Sequence, residues 1–357
     1  MARTGGLASG LLAAALVLVG AGAVGGVQVS AAASTLASQS STSVAPVASS
    51  GCQAAVAPAS SQSTLSFSSV GESGTYIQSL PPSTEGPGHP TPVVFDLHGY
   101  VEPASFQDQG TELSAFGDSH GFVTITPQRT ESGVPRWDVS ARSPDIAYLG
   151  ALLTHVESSL CVDQRRVFVT GLSMGAFASS AVACELSGRV AAVAPVAGLQ
   201  AFSWCHPKRP VPVVAFQGTA DPFVSYTGGP GPNALKLPAP DGSGKTVGQE
   251  LKTHPHAVGN PLPQSIPTQV ATWAKRNGCG TTPIKTSIAS DVTRVTYPCP
   301  AASSVQFYVI KGGGHTWPGG PPGVFPASLV GKTTTSISAN QIIWDFFQAH
   351  PLTGHVG

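Results

Sequence analysis

The sequence predicts an α/β fold, with a mostly parallel sheet flanked by helices. Two observations carry that expectation. Short apolar runs rich in β-branched residues recur along the chain, and they are nearly continuous rather than alternating, as strands covered on both faces are. Helix-like stretches separate them, and strand–helix alternation places helices on both sides of a parallel sheet. The runs are "PVVFDLH" (92–98), "GFVTITP" (121–127), "RRVFVTG" (165–171), "RVAAVAPVAG" (189–198), "VPVVAFQG" (211–218) and "VQFYVIKGG" (305–313). The helical stretches fall at 143–160, 174–187, 267–277 and 338–350, and no internal repeat is evident.

Composition limits what such a fold does. Lys+Arg and Asp+Glu both number 18 in 357 residues, so the net charge is zero. That balance gives no field to draw in nucleic acid or an anionic membrane surface. The chain opens with one arginine and an Ala/Leu/Val/Gly-rich run, followed by "SAAAS". A short apolar core and small residues at the end read as an export signal over 1–33, cleaved after Ala33, rather than a retained anchor. Residues 34–64, as in "STLASQSSTSVAPVASSG", hold few large apolar side chains and read as a flexible leader. The expectation is a secreted, extracellular monomer with no stable membrane anchor and one folded domain over 65–352.

Six cysteines, all beyond that signal, suggest disulfides in an exported chain. No C-x-x-C pair and no His–Cys cluster at zinc spacing occurs, so no metal is expected. Cys279 and Cys299 flank a short strand-rich excursion and are expected to pair. Cys184 with Cys205 would tie the helix after residue 173 to the next loop, leaving Cys52 to fasten the N-terminal arm to Cys161.

Two G-x-S-x-G matches compete as the seat of a nucleophile, Gly117–Gly121 around Ser119 and Gly171–Gly175 around Ser173. With 41 glycines in the chain, such a match counts only in its structural context. Ser119 sits at the end of a probable helix and before a strand, and its glycines look like a helix stop. Ser173 directly follows "RRVFVTG" and directly precedes the small-residue helical stretch "MGAFASSAVACEL". Strand, sharp turn, helix is the order that a strained, exposed nucleophile requires, and the helix N-terminus aims N–H groups at a developing oxyanion. Ser173 is the candidate.

A serine needs a base, and the base an orienting carboxylate. Functional groups in such sheets gather at the carboxyl ends of strands. Asp221 in "VVAFQGTADPFV" and His315 in "YVIKGGGHTWPGG" each follow a strand. A turn carboxylate or a loop histidine is commonplace singly; three groups at three strand ends, in the chain order Ser, Asp, His, are not. Asp241 and Asp291 are the alternative carboxylates. The Met174 amide, next to the nucleophile, supplies one oxyanion donor, and the loop after the early strand "VVFDL" supplies a second from the backbone of Tyr100. His98 in that loop reads as structural. Trp137 and Trp317 are candidate walls of a substrate pocket.

With these residues in view, "LHGY", "RVFVTGLSMGA", "AAVAPVAG", "FQGTADPFV", "WAKRNGC" and "GGGHTWPGG" together resemble the secreted esterases that include poly(3-hydroxybutyrate) depolymerases and feruloyl or acetylxylan esterases (carbohydrate esterase family 1). The resemblance spans roughly 90–350. It implies an α/β-hydrolase fold, a Ser173–Asp221–His315 triad, no cofactor, and an ester substrate such as a polyester oligomer or an esterified polysaccharide fragment. Glu102 and Pro103 follow "HGY" where relatives often continue differently. An insert at about 226–265, rich in Gly and Pro, is either a mobile flap over the site or an inert surface loop. An acyltransferase of the same fold and a non-catalytic binding domain are the alternatives to an esterase.

Overall fold

The computed structural model describes residues 44–53, 62–82, 89–253, 264–322 and 324–354. The expected export signal lies outside these residues. The strands are β1 (Gln62–Ser69), β2 (Glu72–Ser79), β3 (Thr91–Leu97), β4 (Val123–Arg129), β5 (Val162–Leu172), β6 (Ala192–Val196), β7 (Val213–Gly218), β8 (Ile284–Ala289), β9 (Val292–Thr296) and β10 (Val305–Ile310). The helices are α1 (Ala104–Thr111), α2 (Leu113–His120), α3 (Pro144–Ser159), α4 (Met174–Glu185), α5 (Val247–Thr253), α6 (Ile266–Arg276), α7 (Ala327–Val330) and α8 (Ala339–Gln348).

One sheet contains all these strands, in the order β1-β2-β4-β3-β5-β6-β7-β10-β9-β8. From β4 through β10 every neighbouring pair is parallel, while β2 joins β4, and β9 joins β10, antiparallel. This is the mostly parallel α/β sheet the sequence predicts, and its strand order with the sharp turn after β5 makes it an α/β-hydrolase fold. The near-continuous apolar runs are explained by burial on both faces. In β5, Val167 and Val169 join one core cluster with Leu149, Val182 and Trp273, which lie on α3, α4 and α6. Phe168 between them joins the other cluster with Leu113, Trp344 and Phe347, from α2 and α8. Successive side chains alternate faces, so the run Val167–Val169 needs apolar residues on both faces.

The first strand pair was not legible as a run. In β1, "QSTLSFSS" is exposed or half-exposed throughout, and β2 buries only part of its length. A hairpin at a sheet edge needs no continuous apolar pattern. The expected leader over 34–64 includes ordered residues. Within it, Val47 and Ser49 hydrogen-bond to the start of β5, Ser49 and Gly51 are buried, and β1 begins at Gln62. Its small residues fit because they pack against backbone: a Cβ on Gly51 would lie 2.2 Å from the Leu160 carbonyl oxygen.

The cysteines form three disulfides, Cys52–Cys161, Cys184–Cys205 and Cys279–Cys299. The first fastens the N-terminal arm to the residue preceding β5. No helix among the described residues is long and apolar enough to cross a membrane.

Candidate active site

The strand order reverses direction at β3, which has β4 on one side and β5 on the other. The crevice beyond the carboxyl ends of β3 and β5 is therefore the place where an open α/β sheet leaves room for a ligand. Residues 98–100 leave the end of β3 and Ser173 leaves the end of β5, so the topology sets these two segments side by side.

Ser173 has φ 59° and ψ −119°, a conformation few non-glycine residues adopt, directly between β5 and α4. Its amide donates to the Val196 carbonyl, and its own carbonyl accepts from Ala176 and Phe177 as α4 begins. The flanking glycines permit the crossing. A Cβ on Gly175 would lie 1.9 Å from the Leu97 carbonyl oxygen, and one on Gly171 2.5 Å from the same atom. Backbone strain of this kind persists only where its surroundings hold it in place. Ser119, by contrast, is exposed on the last turn of α2, with its hydroxyl donating to the Phe116 carbonyl.

Asp221 follows β7 and His315 follows β10, which are neighbours in the sheet. Nδ1 of His315 is 2.8 Å from Asp221 Oδ2, and both residues are buried. Asp221 Oδ1 accepts from the amides of Phe223 and Val224, while Oδ2 also accepts from Gln217 Nε2 at 2.7 Å. The carboxylate is thus fixed in direction, and the Phe223 ring lies against the imidazole with centroids 4.9 Å apart. The alternative carboxylates are elsewhere engaged: Asp241 accepts from the Ser243 amide, and Asp291 from Thr334 Oγ1.

The turn after β3 lies against the Ser173 elbow, the sharp turn between β5 and α4. A Cβ on Gly99 would stand 3.5 Å from Ser173 Cβ and 2.5 Å from Glu102 Oε2. That carboxyl oxygen accepts the Gly99 amide at 2.9 Å, and Val101, at φ 56°, turns the chain back toward α1. Among the described residues, neither the Met174 nor the Tyr100 amide has a hydrogen-bond partner. His98 is fully buried, its Nδ1 2.8 Å from the Gly99 carbonyl, and burial pushes its pKa down to about 4. It remains a neutral brace at ordinary pH.

The two tryptophans part company. Trp137 is buried beneath the turn, donating Nε1–H to the His98 carbonyl and packing on the His98 ring. Its residue type gave no hint of this, because an indole serves equally as pocket wall or as buried donor. Trp317 does line a cavity, shared with Glu102, Gln107, Leu172, His315 and Phe325. Gln217 and Gln107 have a part in this geometry that the sequence reading did not assign, and Glu102 was singled out there only as a departure after "HGY". Gln217 carried a signal, being the one polar side chain inside the apolar run "VVAFQG".

The described part of the insert approaches the same turn. The Tyr100 hydroxyl donates to the Pro238 carbonyl, Arg136 reaches the Pro240 carbonyl, and Asn233 donates to the Leu329 carbonyl. This portion is seated beside the site rather than projecting as a free surface loop.

No protein-family model matches the chain. Curated proteins do, among them the following three. The chain is 28% identical over 154 residues to a bifunctional acetylxylan esterase/xylanase of Neocallimastix patriciarum, covering 43% of this chain and 22% of that protein. It is 24% identical over 233 residues to feruloyl esterase B of Piromyces equi, covering 63% and 39%. It is 28% identical over 115 residues to poly(3-hydroxyalkanoate) depolymerase C of Paucimonas lemoignei, covering 30% and 28%. In each case less than two fifths of the relative is spanned. By these matches the chain is similar to proteins named feruloyl esterase, acetylxylan esterase and poly(3-hydroxyalkanoate) depolymerase.

Proposed function

We propose that the protein is a secreted serine esterase that hydrolyses carboxylic esters through Ser173, His315 and Asp221. The observation that supports this most is the pairing of His315 with an Asp221 carboxylate held by three further donors, at the same end of the sheet as the strained Ser173 turn.

In this reading His315 Nε2 takes the Ser173 proton as the hydroxyl oxygen attacks the ester carbonyl. Asp221 keeps the other ring nitrogen protonated, which selects the productive tautomer, and it stabilises the imidazolium that forms. The Met174 and Tyr100 amides face the oxyanion, each contributing about 3–4 kcal/mol in comparable sites. His315 then gives its proton to the departing alcohol, and water repeats the sequence on the acyl-enzyme. The substrates are esters of the kinds named for the relatives, hydroxyalkanoate oligomers or feruloyl and acetyl esters of plant polysaccharide. The three disulfides suit an oxidising, extracellular compartment.

A substrate panel tests this directly. Methyl ferulate, acetylated xylan, hydroxybutyrate oligomers and p-nitrophenyl acetate would be assayed with wild type and with Ser173→Ala. Turnover of at least one ester that disappears in the variant is expected. Turnover of none by folded wild type would refute the proposal.

A further inference from the structure

The turn after β3 is held peptide by peptide. In the peptide between His98 and Gly99, the carbonyl accepts Trp137 Nε1–H at 2.9 Å and the amide donates to Glu102 Oε2 at 2.9 Å. In the next, between Gly99 and Tyr100, the carbonyl lies 2.8 Å from His98 Nδ1. In the one after, the Val101 amide donates to the Pro135 carbonyl at 2.8 Å. Of the Gly99, Tyr100 and Val101 amides, that of Tyr100 alone has no partner among the described residues. A trans peptide is planar, with C=O and N–H pointing opposite ways, so holding one end aims the other.

Gly99 is where this turn rotates most easily, because it carries no Cβ to restrict it. Glu102 opposes that freedom at a cost. It is 7% exposed, and its Oε1 has no hydrogen-bond partner among the described residues, so a desolvated carboxyl is kept for the one bond from Gly99. An apolar side chain would avoid that penalty but could not accept the amide. Burial raises the Glu102 pKa to about 7, and a carboxyl oxygen accepts an N–H in either protonation state. We propose that Glu102 is a positioning residue for the oxyanion: by holding the Gly99 amide it keeps the turn from rotating, so that the Tyr100 N–H faces the carbonyl oxygen of the reacting ester. This rests on the esterase reading above, in which the Tyr100 amide is one of two oxyanion donors. Glu102 touches no substrate in this role. It acts by sparing the reorganisation that a mobile donor would need during the reaction.

A trifluoromethyl ketone, 1,1,1-trifluoro-4-phenylbutan-2-one, reads the donor directly. Ser173 Oγ bonds to its carbonyl carbon, His315 takes the hydroxyl proton, and the ketone oxygen becomes an oxyanion, so Ki depends on the donors that face it. Ki is independent of the folded fraction of a preparation, and a merely structural loss does not move it. Glu102→Met removes the acceptor at similar volume. It is expected to raise Ki, and to lower kcat/KM for p-nitrophenyl acetate, at least about tenfold, where losing a whole donor costs about a hundredfold or more. Glu102→Gln keeps a carbonyl oxygen for the Gly99 amide and is expected to stay within about threefold of wild type in both. Trp137→Phe frees the other end of the same peptide and serves if Glu102→Met does not fold; a rise in Ki of about fivefold or more is expected. An unchanged Ki in Glu102→Met or in Trp137→Phe, or a Glu102→Gln as impaired as Glu102→Met, would overturn the proposal. Folded wild type that turns over no ester and is not inhibited by the ketone would instead sink the esterase reading on which it depends.

Discussion

Nδ1 of His315 lies 2.8 Å from Asp221 Oδ2, and three other donors hold that same carboxylate. The arrangement makes the imidazole's direction a consequence of the β7–β10 register rather than of its own loop. Asp221→Asn would keep most of the packing but lose the acceptor that selects the tautomer. A fall in kcat of about ten-thousand-fold is expected, by analogy with the serine-protease case. Steady-state kinetics beside a circular dichroism spectrum check it; near-full activity would move the orienting role elsewhere.

The elbow depends on glycine at one particular crossing. Gly175→Ala would place a Cβ 1.9 Å from the Leu97 carbonyl oxygen, so β3 and α4 must separate. Activity should be lost and the melting temperature should drop by several degrees, as overpacking of about 1–3 kcal/mol implies. Gly188→Ala, which meets nothing within 4 Å, serves as the control and should be neutral.

What the sequence disclosed and what it hid follow from one physical difference. Strands buried on both faces, such as β7 and the second half of β5, are apolar at nearly every position, so they announce themselves, and with them the strand ends beyond which Ser173 and Asp221 lie. The β1–β2 hairpin lies at a sheet edge with a Ser- and Thr-rich face, and nothing in "QSTLSFSS" separates it from a loop. The contacts of Glu102 and Gln107 were hidden for another reason. These residues sit on a turn and a short helix whose fold-back toward β3 depends on Val101 at φ 56°, a conformation no local pattern signals. Trp137 shows the converse: a residue type suited to a pocket turned out to be a buried brace for His98.

Cys52–Cys161 closes a sequence separation of 109 residues at the N-terminal end of β5, the opposite end from Ser173. Replacing both cysteines by serine should cost about 2–5 kcal/mol of unfolding free energy. At 25 °C the folded variant should keep its kcat. Guanidinium denaturation and kinetics on the same preparation check the pair; an unchanged midpoint would show that the arm contributes nothing to stability.

Asp96 is fully buried below the site, and burial raises its pKa to about 7, against the lowering effect of hydrogen bonds from Gln107 and Thr111. Its folded value therefore lies above its unfolded one. Between about pH 4 and 7 the native state keeps a proton that the unfolded chain has released, so this group's contribution to stability falls as pH rises. Relative to Asp96→Asn, which cannot titrate, wild type should lose on the order of 2–4 kcal/mol between pH 4 and pH 8. The charges of Glu102 and Asp108 add to the rise in the Asp96 value, so the difference reports Asp96 together with its coupling to them. Denaturant melts at four pH values measure it, and a flat difference would show that Asp96 does not change protonation there.

We propose that Ser173, held at φ 59° between β5 and α4, is an activated nucleophile. Reaction of the folded protein with a fluorophosphonate, followed by peptide mass mapping, tests it most directly. One adduct is predicted, on Ser173, with none on Ser119 and none on Ser173 after unfolding in denaturant. An adduct on Ser119 instead, or an unlabelled Ser173 in correctly folded protein, would contradict it.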